Sequence, residues 1–278
     1  MKVAVFFREL DKWQIPSLEL LERELAAGGA ELCIHGRDFT SWSDLPEDVD
    51  LFLSLGGDGT FLQALTYVRE RQIPVAGINF GRLGFLTTAK VEEGRLGWVK
   101  DLLEGRYTTE TRDILKISSD VLPVDFYPYA GNEITIQRQG AGMLTVDLKI
   151  NGRPIPPYWA DGIVIATATG STAYSMSVGG PIVVPSSKVL IIAPIAPHNL
   201  NVRPLVAPVD SQFELRFRSR EGRASLTLDN RSVEVKEGDV FRITKGEYGF
   251  RYVSLSENGF FNALRTKLLW GEDKRNFE

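Results

Sequence analysis

Residues 49–60 read Val-Asp-Leu-Phe-Leu-Ser-Leu-Gly-Gly-Asp-Gly-Thr, an apolar run that leads into a turn rich in glycine. The run at 49–55 is typical of a buried strand, and the apolar spacing over 61–68 predicts a helix directly after the turn. A strand that passes through a turn into a helix is the repeating unit of parallel α/β sheets. Ligands bind to such sheets at the carboxyl ends of the strands, which is where the turn Gly56-Gly57-Asp58-Gly59-Thr60 lies.

The sequence around this turn repeats the same alternation of strand and helix. Apolar runs at 2–7, 31–34 and 73–78 predict three further strands. Leucines at helical spacing predict a helix between the first two strands, and Gly28-Gly29 ends it. We therefore expect a Rossmann-like, mostly parallel sheet in an N-terminal domain at residues 1–115.

The second half of the chain has a different pattern, in which apolar and polar residues alternate with period two. Residues 144–150 alternate in this way and are followed by the hairpin turn Asn151-Gly152. We expect a β-rich C-terminal domain at 116–258, and a C-terminal helix at 259–278 that returns to the first domain. The predicted fold class is α/β, with a Rossmann-like parallel sheet in the N-terminal domain and a β-rich C-terminal domain. Further runs typical of strands are 189–195, 213–217, 224–228, 232–235, 240–243 and 250–255.

Composition excludes several classes of function. The 278 residues carry a net charge of −4, which argues against a general nucleic-acid-binding protein. Cys33 is the only cysteine and His35 and His198 are the only histidines, so neither an internal disulfide nor a dedicated zinc site is expected. The sequence contains no apolar run long enough to span a membrane, and the N-terminus does not resemble a signal peptide. We expect a cytoplasmic protein without a membrane partner.

The glycine turn carries the strongest chemical signal. Three glycines allow positive φ angles and let backbone N–H groups approach a phosphate, and the helix that follows adds its dipole. A carboxylate in such a turn repels a phosphate unless it acts on an attacking hydroxyl group or faces a metal ion. Asp58 is therefore a candidate catalytic residue, the alternative being an aspartate that only begins a helix. A second turn, Gly77–Leu86, also follows a strand and predicts a cleft shared with the first, in which Arg82 either binds phosphate or is a solvated loop residue.

Two segments of the β-rich half suit a nucleoside. Asn132-Glu133 precedes an apolar strand, and an amide beside a carboxylate can bind ribose hydroxyls and ring nitrogens. Taken alone, the pair is more typical of a turn that begins a strand. Residues 161–177 read as a buried strand that ends in many small hydroxyl side chains, which suit hydrogen bonds to adenine or phosphate; the alternative is a loop that is only rich in serine and threonine. His198 has no nucleophile near it in the sequence, and we interpret it as structural. The sequence contains no Gly-Lys-Thr phosphate loop, so a kinase of this sequence is not of the P-loop type.

Together these segments resemble the NAD kinase family. Gly-Gly-Asp-Gly alone is shared with diacylglycerol kinases and 6-phosphofructokinases, whereas the later segments are more specific. The resemblance implies transfer of the terminal phosphoryl group of ATP to the 2′-hydroxyl of the adenosine ribose of NAD, giving NADP. It also implies that Mg²⁺ arrives with ATP rather than on a protein site, and that the chain forms a homo-oligomer, with a tetramer favoured. The segments that carry the resemblance are Gly56–Thr60, Gly77–Thr87, Asn132-Glu133, Asp161–Pro181, His198–Pro204 and Thr266–Trp270.

The resemblance also implies residue roles. Asp58 matches the aspartate that accepts the hydroxyl proton, and Gly59 lies beside it. Phe85 matches a residue near the adenosine, and Asn132 and Glu133 match the pair that holds its ribose and base. Asp161 and Ala196 match positions that reach the nicotinamide side of a neighbouring subunit's NAD. The stretch expected to line the dinucleotide pocket comprises Thr169, Thr172, Ala173, Tyr174, Ser175, Met176 and Ser177.

Two departures from the family pattern bear on these roles. Ala168 stands where the family usually has proline, and this should loosen the turn. Asp229-Asn230-Arg231 replaces a frequent Asp-Gly-Gln, so no ligand role is carried over to Arg231. Two other functions stay open: a lipid kinase of the diacylglycerol type, which would need an apolar groove, and a non-catalytic NAD(P)-binding regulator. Polyphosphate is the alternative phosphoryl donor.

Overall fold

A computed structural model describes residues 1–81, 84–91, 96–255 and 259–269. Arg82 and Trp270, which the sequence analysis singled out, lie outside these ranges. The α-helices are α1 Ile15–Ala27, α2 Asp58–Val68, α3 Gly97–Leu103, α4 Tyr174–Ser177 and α5 Gly259–Leu268. Short 3₁₀ helices are Trp42–Asp44, Arg69–Arg71 and Thr169–Thr172. The strands are β1 Lys2–Phe7, β2 Glu31–Ile34, β3 Leu51–Leu55, β4 Val75–Asn79, β5 Ala89–Lys90, β6 Thr108–Ser118, β7 Tyr129–Ala130, β8 Glu133–Arg138, β9 Leu144–Ile150, β10 Arg153–Pro154, β11 Tyr158–Ala160, β12 Gly162–Thr167, β13 Val189–Ile195, β14 Leu205–Pro208, β15 Phe213–Arg218, β16 Arg223–Leu228, β17 Arg231–Lys236 and β18 Phe241–Ser254.

The chain divides into two compact units. The first unit contains Met1–Thr111 together with the described residues of Phe250–Glu278, and the second contains Arg112–Gly249. Residues 250–255, which the sequence analysis assigned to the β-rich domain, therefore belong with the first unit. The reason is that the end of β18 pairs in parallel with β4, through Tyr252 and Val75.

The first unit is built on a parallel sheet. Its strands lie in the order β2-β1-β3-β4, and β5 pairs with β4. Buried strands of this kind read as continuous apolar runs, as the five buried residues of β3 do. Helix α1 buries Leu18, Leu21 and Leu25, one face at helical spacing, in the same core as β1 and β3. The predicted Rossmann-like parallel sheet is confirmed.

The second unit is antiparallel and rich in strands. One of its sheets has the order β14-β13-β12-β8-β16-β17. Its other strands include the antiparallel path β10-β9-β15-β18, with β11 paired to β9. At the predicted hairpin, Asn151 and Gly152 have φ angles of 51° and 76° and join β9 to β10. The α/β class with a β-rich second half is confirmed.

Among the elements that differ from the predictions, three are longer than six residues, and the shorter ones include β5, β7, β10, β11, β14 and α4. The runs 240–243 and 250–255 are one continuous strand, β18, because Gly246 does not turn the chain. A Cβ atom there would lie 2.7 Å from Ile114 of β6, so this glycine permits close strand packing. Strand β6 and helix α3 were not predicted: β6 begins with a polar run that carries no period-two signal, and α3 is only seven residues long.

Within the described ranges, we find no helix with both the length and the apolar character needed to cross a membrane.

Candidate active site

The glycine turn places Asp58 as the first residue of α2, directly after β3. Gly57 is the N-cap residue and is extended, with φ of −85° and ψ of −174°. Gly56 has a φ of +149°, and a Cβ atom there would lie 2.4 Å from Thr60 Oγ1, so this position requires glycine. The Asp58 side chain keeps 31% of its surface exposed. The carboxylate is thus accessible, at a helix N-terminus whose dipole favours negative charge.

The two glycine turns meet at the Asp58 carboxylate. Its Oδ2 accepts the backbone N–H of Phe85 at 2.9 Å, and its Oδ1 accepts that of Leu86 at 3.0 Å. A Cβ atom on Gly84 would lie 1.7 Å from Asp58 Oδ1, so the second turn approaches this closely only with glycine at 84. The turns meet because β3 and β4 are parallel neighbours, with their carboxyl ends at one edge. Both oxygens of Asp58 are therefore held in place.

A polar cleft of about 570 Å³ opens at the same turn. The segment between β1 and α1 forms one side of it, and the end of β3 with the glycine turn forms the other. Both basic and acidic side chains face it, together with the backbone of the turn. This chemistry suits a polar, charged ligand better than an apolar one. The residues that line it include Arg8, Asp11, Gln14, Gly56, Gly57 and Thr60.

In the second unit, Asn132 and Glu133 are anchored by a residue that the sequence analysis did not select. The Asp229 carboxylate accepts the backbone N–H groups of Gly131 at 2.8 Å, Asn132 at 2.8 Å and Glu133 at 3.2 Å. The Asp229 N–H in turn donates to the Glu133 carbonyl at 3.0 Å. Asp229 lies in the turn between β16 and β17, where an aspartate is ordinary turn chemistry, so the sequence carried no signal for this role.

The side chains of Asn132 and Glu133 are buried, and each has an oxygen that receives no hydrogen bond from the part of the chain that the structure describes. Among the described residues, Asn132 Oδ1 and Glu133 Oε2 have no partner. Burial raises the pKa of Glu133 to about 8, the Asp229 carboxylate adds to this rise, and the backbone N–H of Tyr174 opposes it. Burial also raises the pKa of Asp229, against its three N–H donors. Buried polar atoms without partners are costly in a folded protein, so this pair is suited to a polar ligand.

The hydroxyl-rich segment after β12 is held against the backbone of Gly131 and Asn132 by hydrogen bonds and close packing. Thr167 Oγ1 donates to the Gly131 carbonyl at 2.8 Å and accepts the N–H of Gly170 at 3.0 Å. A Cβ atom on Gly170 would lie 2.2 Å from the Asn132 carbonyl oxygen. These contacts hold the turn in which Ala168 replaces the usual proline.

Part of this segment's hydroxyl groups bond internally rather than to a ligand. Ser171 Oγ donates to the Val183 carbonyl at 3.1 Å and accepts the Val183 N–H at 3.0 Å. Thr172 Oγ1 donates to the Thr169 carbonyl at 3.4 Å. Thr169 is buried, and the Oγ of buried Ser175 has no partner among the described residues. The segment remains partly accessible at four predicted site residues, Thr172, Ala173, Tyr174 and Met176, and Ser177 is exposed.

Asp161 and Ala196 lie at the other end of the same sheet. β8 and β12 are antiparallel with Glu133 opposite Ala166, whereas Asp161 precedes Gly162 at the far end. Five residues of strand at about 3.3 Å each place the two ends roughly 16 Å apart. Asp161 forms a two-point ion pair with Arg138, with Oδ1 2.7 Å from Nε and Oδ2 3.1 Å from Nη2. The Asp161 N–H donates to the Ile195 carbonyl, which brings it next to Ala196.

Arg231 and His198 contact the protein itself. The Arg231 guanidinium donates to the carbonyls of Tyr127, at 2.5 Å, and Tyr129, and so holds the segment before Gly131. This contact gives Arg231 a structural place in the fold. The backbone N–H of His198 donates to the Trp159 carbonyl at 2.8 Å.

Among the described residues, no group of three or more His, Cys, Asp or Glu side chains could hold a metal ion.

The residues around Asp58 and those around Asn132 and Glu133 both lie in regions that match known proteins. Residues 42–107 match the family ATP-NAD kinase N-terminal domain, and residues 131–255 match the ATP-NAD kinase C-terminal domain. The NAD kinase of Flavobacterium psychrophilum is 44% identical over 241 residues, covering 86% of this chain and 82% of the relative. The NAD kinase of Bacteroides fragilis is 39% identical over 291 aligned positions, covering 99% of this chain and all of the relative.

The fold comparison agrees. The crystal structure of an NAD kinase from Archaeoglobus fulgidus in complex with ATP has a TM-score of 0.77 and 29% identity, covering 94% of this chain and 96% of that chain. The family match includes both the glycine turn with Asp58 and the segment with Asn132 and Glu133. Since both family domains match and relatives at about 40% identity align over most of their length, this chain belongs to the NAD kinase family.

Proposed function

We propose that the protein transfers the terminal phosphoryl group of ATP to the 2′-hydroxyl of the adenosine ribose of NAD, producing NADP and ADP. The observation that carries the choice of acceptor is the buried pair Asn132 Oδ1 and Glu133 Oε2, which lack partners among the described residues. A nucleoside offers hydroxyl and amino donors to satisfy both atoms. A diacylglycerol would leave most of these polar atoms unpaired, at about 1–3 kcal/mol each.

Asp58 accepts the proton of the attacking hydroxyl. The ribose 2′-oxygen forms a bond to the γ-phosphorus of ATP while the bond from that phosphorus to the ADP oxygen breaks, and the proton passes to Asp58 and then to solvent. Phosphoryl transfer has a loose transition state, so the aspartate contributes mainly by aligning the hydroxyl. The hydrogen bonds from Phe85 and Leu86 support this role, because they hold both carboxylate oxygens in one orientation.

Asn132 and Glu133 bind the adenosine ribose and base. A raised pKa leaves Glu133 mostly protonated at neutral pH, so its carboxyl group can donate to a ring nitrogen as well as accept from a hydroxyl. Gly59 and Phe85 lie beside Asp58 and contact the substrates there. The remaining residues proposed to line the dinucleotide site are Thr169, Thr172, Ala173, Tyr174, Ser175, Met176 and Ser177.

ATP brings a divalent cation, expected to be Mg²⁺, on its phosphates. Its chemistry is neutralisation of phosphate charge, which the protein complements with its own groups. The polar cleft beside the glycine turn offers Arg8 and the backbone of Gly56 and Gly57 to a polyphosphate.

The active protein is a homo-oligomer, with a tetramer favoured, in which Asp161 and Ala196 approach NAD bound to another subunit. Their position about 16 Å from Glu133 along the sheet supports a role outside the chain's own adenosine site. Ala196 also has a φ of 45°, a costly conformation for a non-glycine residue that is frequent at functional sites. The edge strand β14 exposes Leu205 and Val206, which suits burial against a neighbour. A reducing compartment such as the cytoplasm fits the single, unpaired Cys33.

A direct acceptor assay tests the proposal. Purified protein receives ATP and Mg²⁺ with NAD, diacylglycerol or fructose 6-phosphate in separate reactions, and a fourth reaction offers NAD with polyphosphate as donor. We expect NADP in the reaction with NAD and ATP and no product with the lipid or the sugar phosphate. NAD binding without phosphoryl transfer from either donor would instead support a non-catalytic regulator.

A further inference from the structure

A lysine near the C-terminus lies beside the catalytic carboxylate. Helix α5 places Lys267 Nζ 4.0 Å from Asp58 Oδ2 and 4.9 Å from the centre of the Phe85 ring. Both contacts lie inside the first unit. Lys267 belongs to the closing segment Thr266–Trp270, for which the family resemblance implied no residue role.

Asp58 does not need this lysine for its position. Each of its oxygens already accepts a backbone N–H, from Phe85 or from Leu86. A separation of 4.0 Å is too long for a hydrogen bond. The two side chains keep 32% and 31% of their surface exposed, and an exposed ion pair contributes only about 0–1 kcal/mol to stability. Structural stabilisation therefore explains little of this arrangement.

The charge of Lys267 explains its position beside Asp58 better than a contribution to stability does. A carboxylate at the phosphate turn repels the polyanionic donor, and a cation within a few ångströms offsets that repulsion. The transferring phosphoryl group needs positive charge around its equatorial oxygens, because catalysis of this reaction is mostly positioning and electrostatic stabilisation. A lysine carries three donors on a flexible stem, and its loose pairing with Asp58 lets those donors turn to a substrate.

We propose that Lys267 is a further catalytic residue, whose ammonium group donates hydrogen bonds to the non-bridging oxygens of the phosphoryl group during its transfer beside Asp58. The proposal rests on the function proposed above. Lys267 keeps its proton throughout: the bond from the ribose oxygen to phosphorus forms, the bond from phosphorus to ADP breaks, and the hydroxyl proton goes to Asp58. The positive charge stabilises the transition state more than it stabilises the bound substrates.

The test compares Lys267→Met, Lys267→Arg and the control Arg265→Met. Arg265 lies on the same helix and is also exposed, and it points away from Lys267 because a step of two positions rotates by about 200° around the helix axis. We expect kcat of Lys267→Met to fall by about 10²–10³-fold, the usual loss when one transition-state donor is removed. Lys267→Arg should recover at least a tenth of the wild-type kcat, and Arg265→Met should resemble the wild type. NAD affinity by calorimetry and the melting temperature should stay unchanged in all three variants.

Three results would overturn this role. The first is a wild-type kcat in Lys267→Met. The second is a loss of kcat accompanied by a matching loss of NAD affinity and melting temperature, which indicates a structural role. The third is an arginine variant no more active than the methionine variant.

Failure of the proposed function is recognised separately. If the wild type forms no NADP, calorimetric titration with ATP and Mg²⁺ still tests the phosphate contact. At least tenfold weaker ATP binding by Lys267→Met than by the wild type supports the contact, and equal binding overturns it.

Discussion

The carboxylate of Asp229 accepts the backbone N–H of Asn132 at 2.8 Å, although the two residues lie 97 positions apart in the chain. The same carboxylate also accepts the N–H groups of the two neighbours, Gly131 and Glu133. It is buried, and three donors are what a buried carboxylate needs to stay in a dry site. The backbone from which Asn132 and Glu133 project is thus fixed by a turn from another hairpin.

Replacing Asp229 with alanine should cost both stability and NAD binding. Three buried N–H groups would lose their acceptor, at about 1–3 kcal/mol each, so we expect the free energy of unfolding to fall by about 3 kcal/mol or more. Urea unfolding and calorimetric titration with NAD measure the two effects. The control is Asp239→Ala, because the Asp239 carboxylate also accepts a backbone N–H, from Lys236, but at the surface. An Asp229 variant that matches this control would refute the anchoring role.

Asp58→Asn should lower kcat by about 10²–10⁴-fold, the scale of a positioned acid–base group. Asparagine keeps the shape but loses the charge that accepts the proton. It also has one acceptor oxygen, so one of the two N–H donors at 85 and 86 loses its partner and stability falls by about 1–3 kcal/mol. Steady-state kinetics and thermal unfolding separate these effects. Asp38→Asn is the matched control, since Asp38 also accepts a backbone N–H in the first unit. Turnover close to that of the wild type would remove Asp58 from the mechanism.

Asn132→Ala should weaken NAD binding at least tenfold, equivalent to about 1.4 kcal/mol, and leave the melting temperature nearly unchanged. The reason is that Oδ1 has no partner among the described residues, so its removal breaks no bond that they make to it. Isothermal titration with NAD measures the affinity. Gln137→Ala, near the far end of β8, the strand that follows Asn132, is the control. A large fall in melting temperature with unchanged NAD affinity would favour a purely structural role for Asn132.

The pH dependence of stability should depend on Glu133. Its pKa is raised from 4.5 to about 8, so between these values the folded protein binds more protons than the unfolded chain. The free energy of unfolding therefore falls as pH rises through this window, by up to about 1.4 kcal/mol per pH unit from this group. Glu133→Gln removes the titration, and its free energy of unfolding should fall less steeply across the window.

Urea unfolding at several pH values between about 5 and 8 tests this dependence. The control is Glu234→Gln, which changes an exposed glutamate in the same unit. Identical slopes for the wild type and Glu133→Gln would show that Glu133 titrates normally.

The protein should sediment as a tetramer at assay concentrations. Val206→Glu, on the exposed edge strand β14, should shift it toward smaller species and lower its activity, because a buried charge at an interface is costly. Val124→Glu, at a fully exposed valine elsewhere in the second unit, is the control. Analytical ultracentrifugation gives the mass, and a fully active monomer would disprove the oligomer.

The sequence determined the class of each half of the chain, because local signals sufficed there. Continuous apolar runs such as Leu51–Leu55 occur in strands covered on both faces, and Asn151-Gly152 adopts the positive φ angles that its composition permits. The turn Gly56–Thr60 also predicted where β3 gives way to a helix, although the helix begins at Asp58, three residues earlier than the apolar spacing over 61–68 indicated.

Only the tertiary structure decided what surrounds these residues. Nothing local links Asp229 to Asn132, or Lys267 to Asp58, because these contacts join segments about 100 and 200 positions apart. Gly84 and Gly246 look like turn residues, yet each is required by a neighbour that approaches within 3 Å of where a Cβ atom would lie. The spacing of apolar residues and the conformational propensity of each residue indicate only the helix, strand or turn in which that residue lies. Hydrogen bonds and close packing between distant segments arise only when the chain folds.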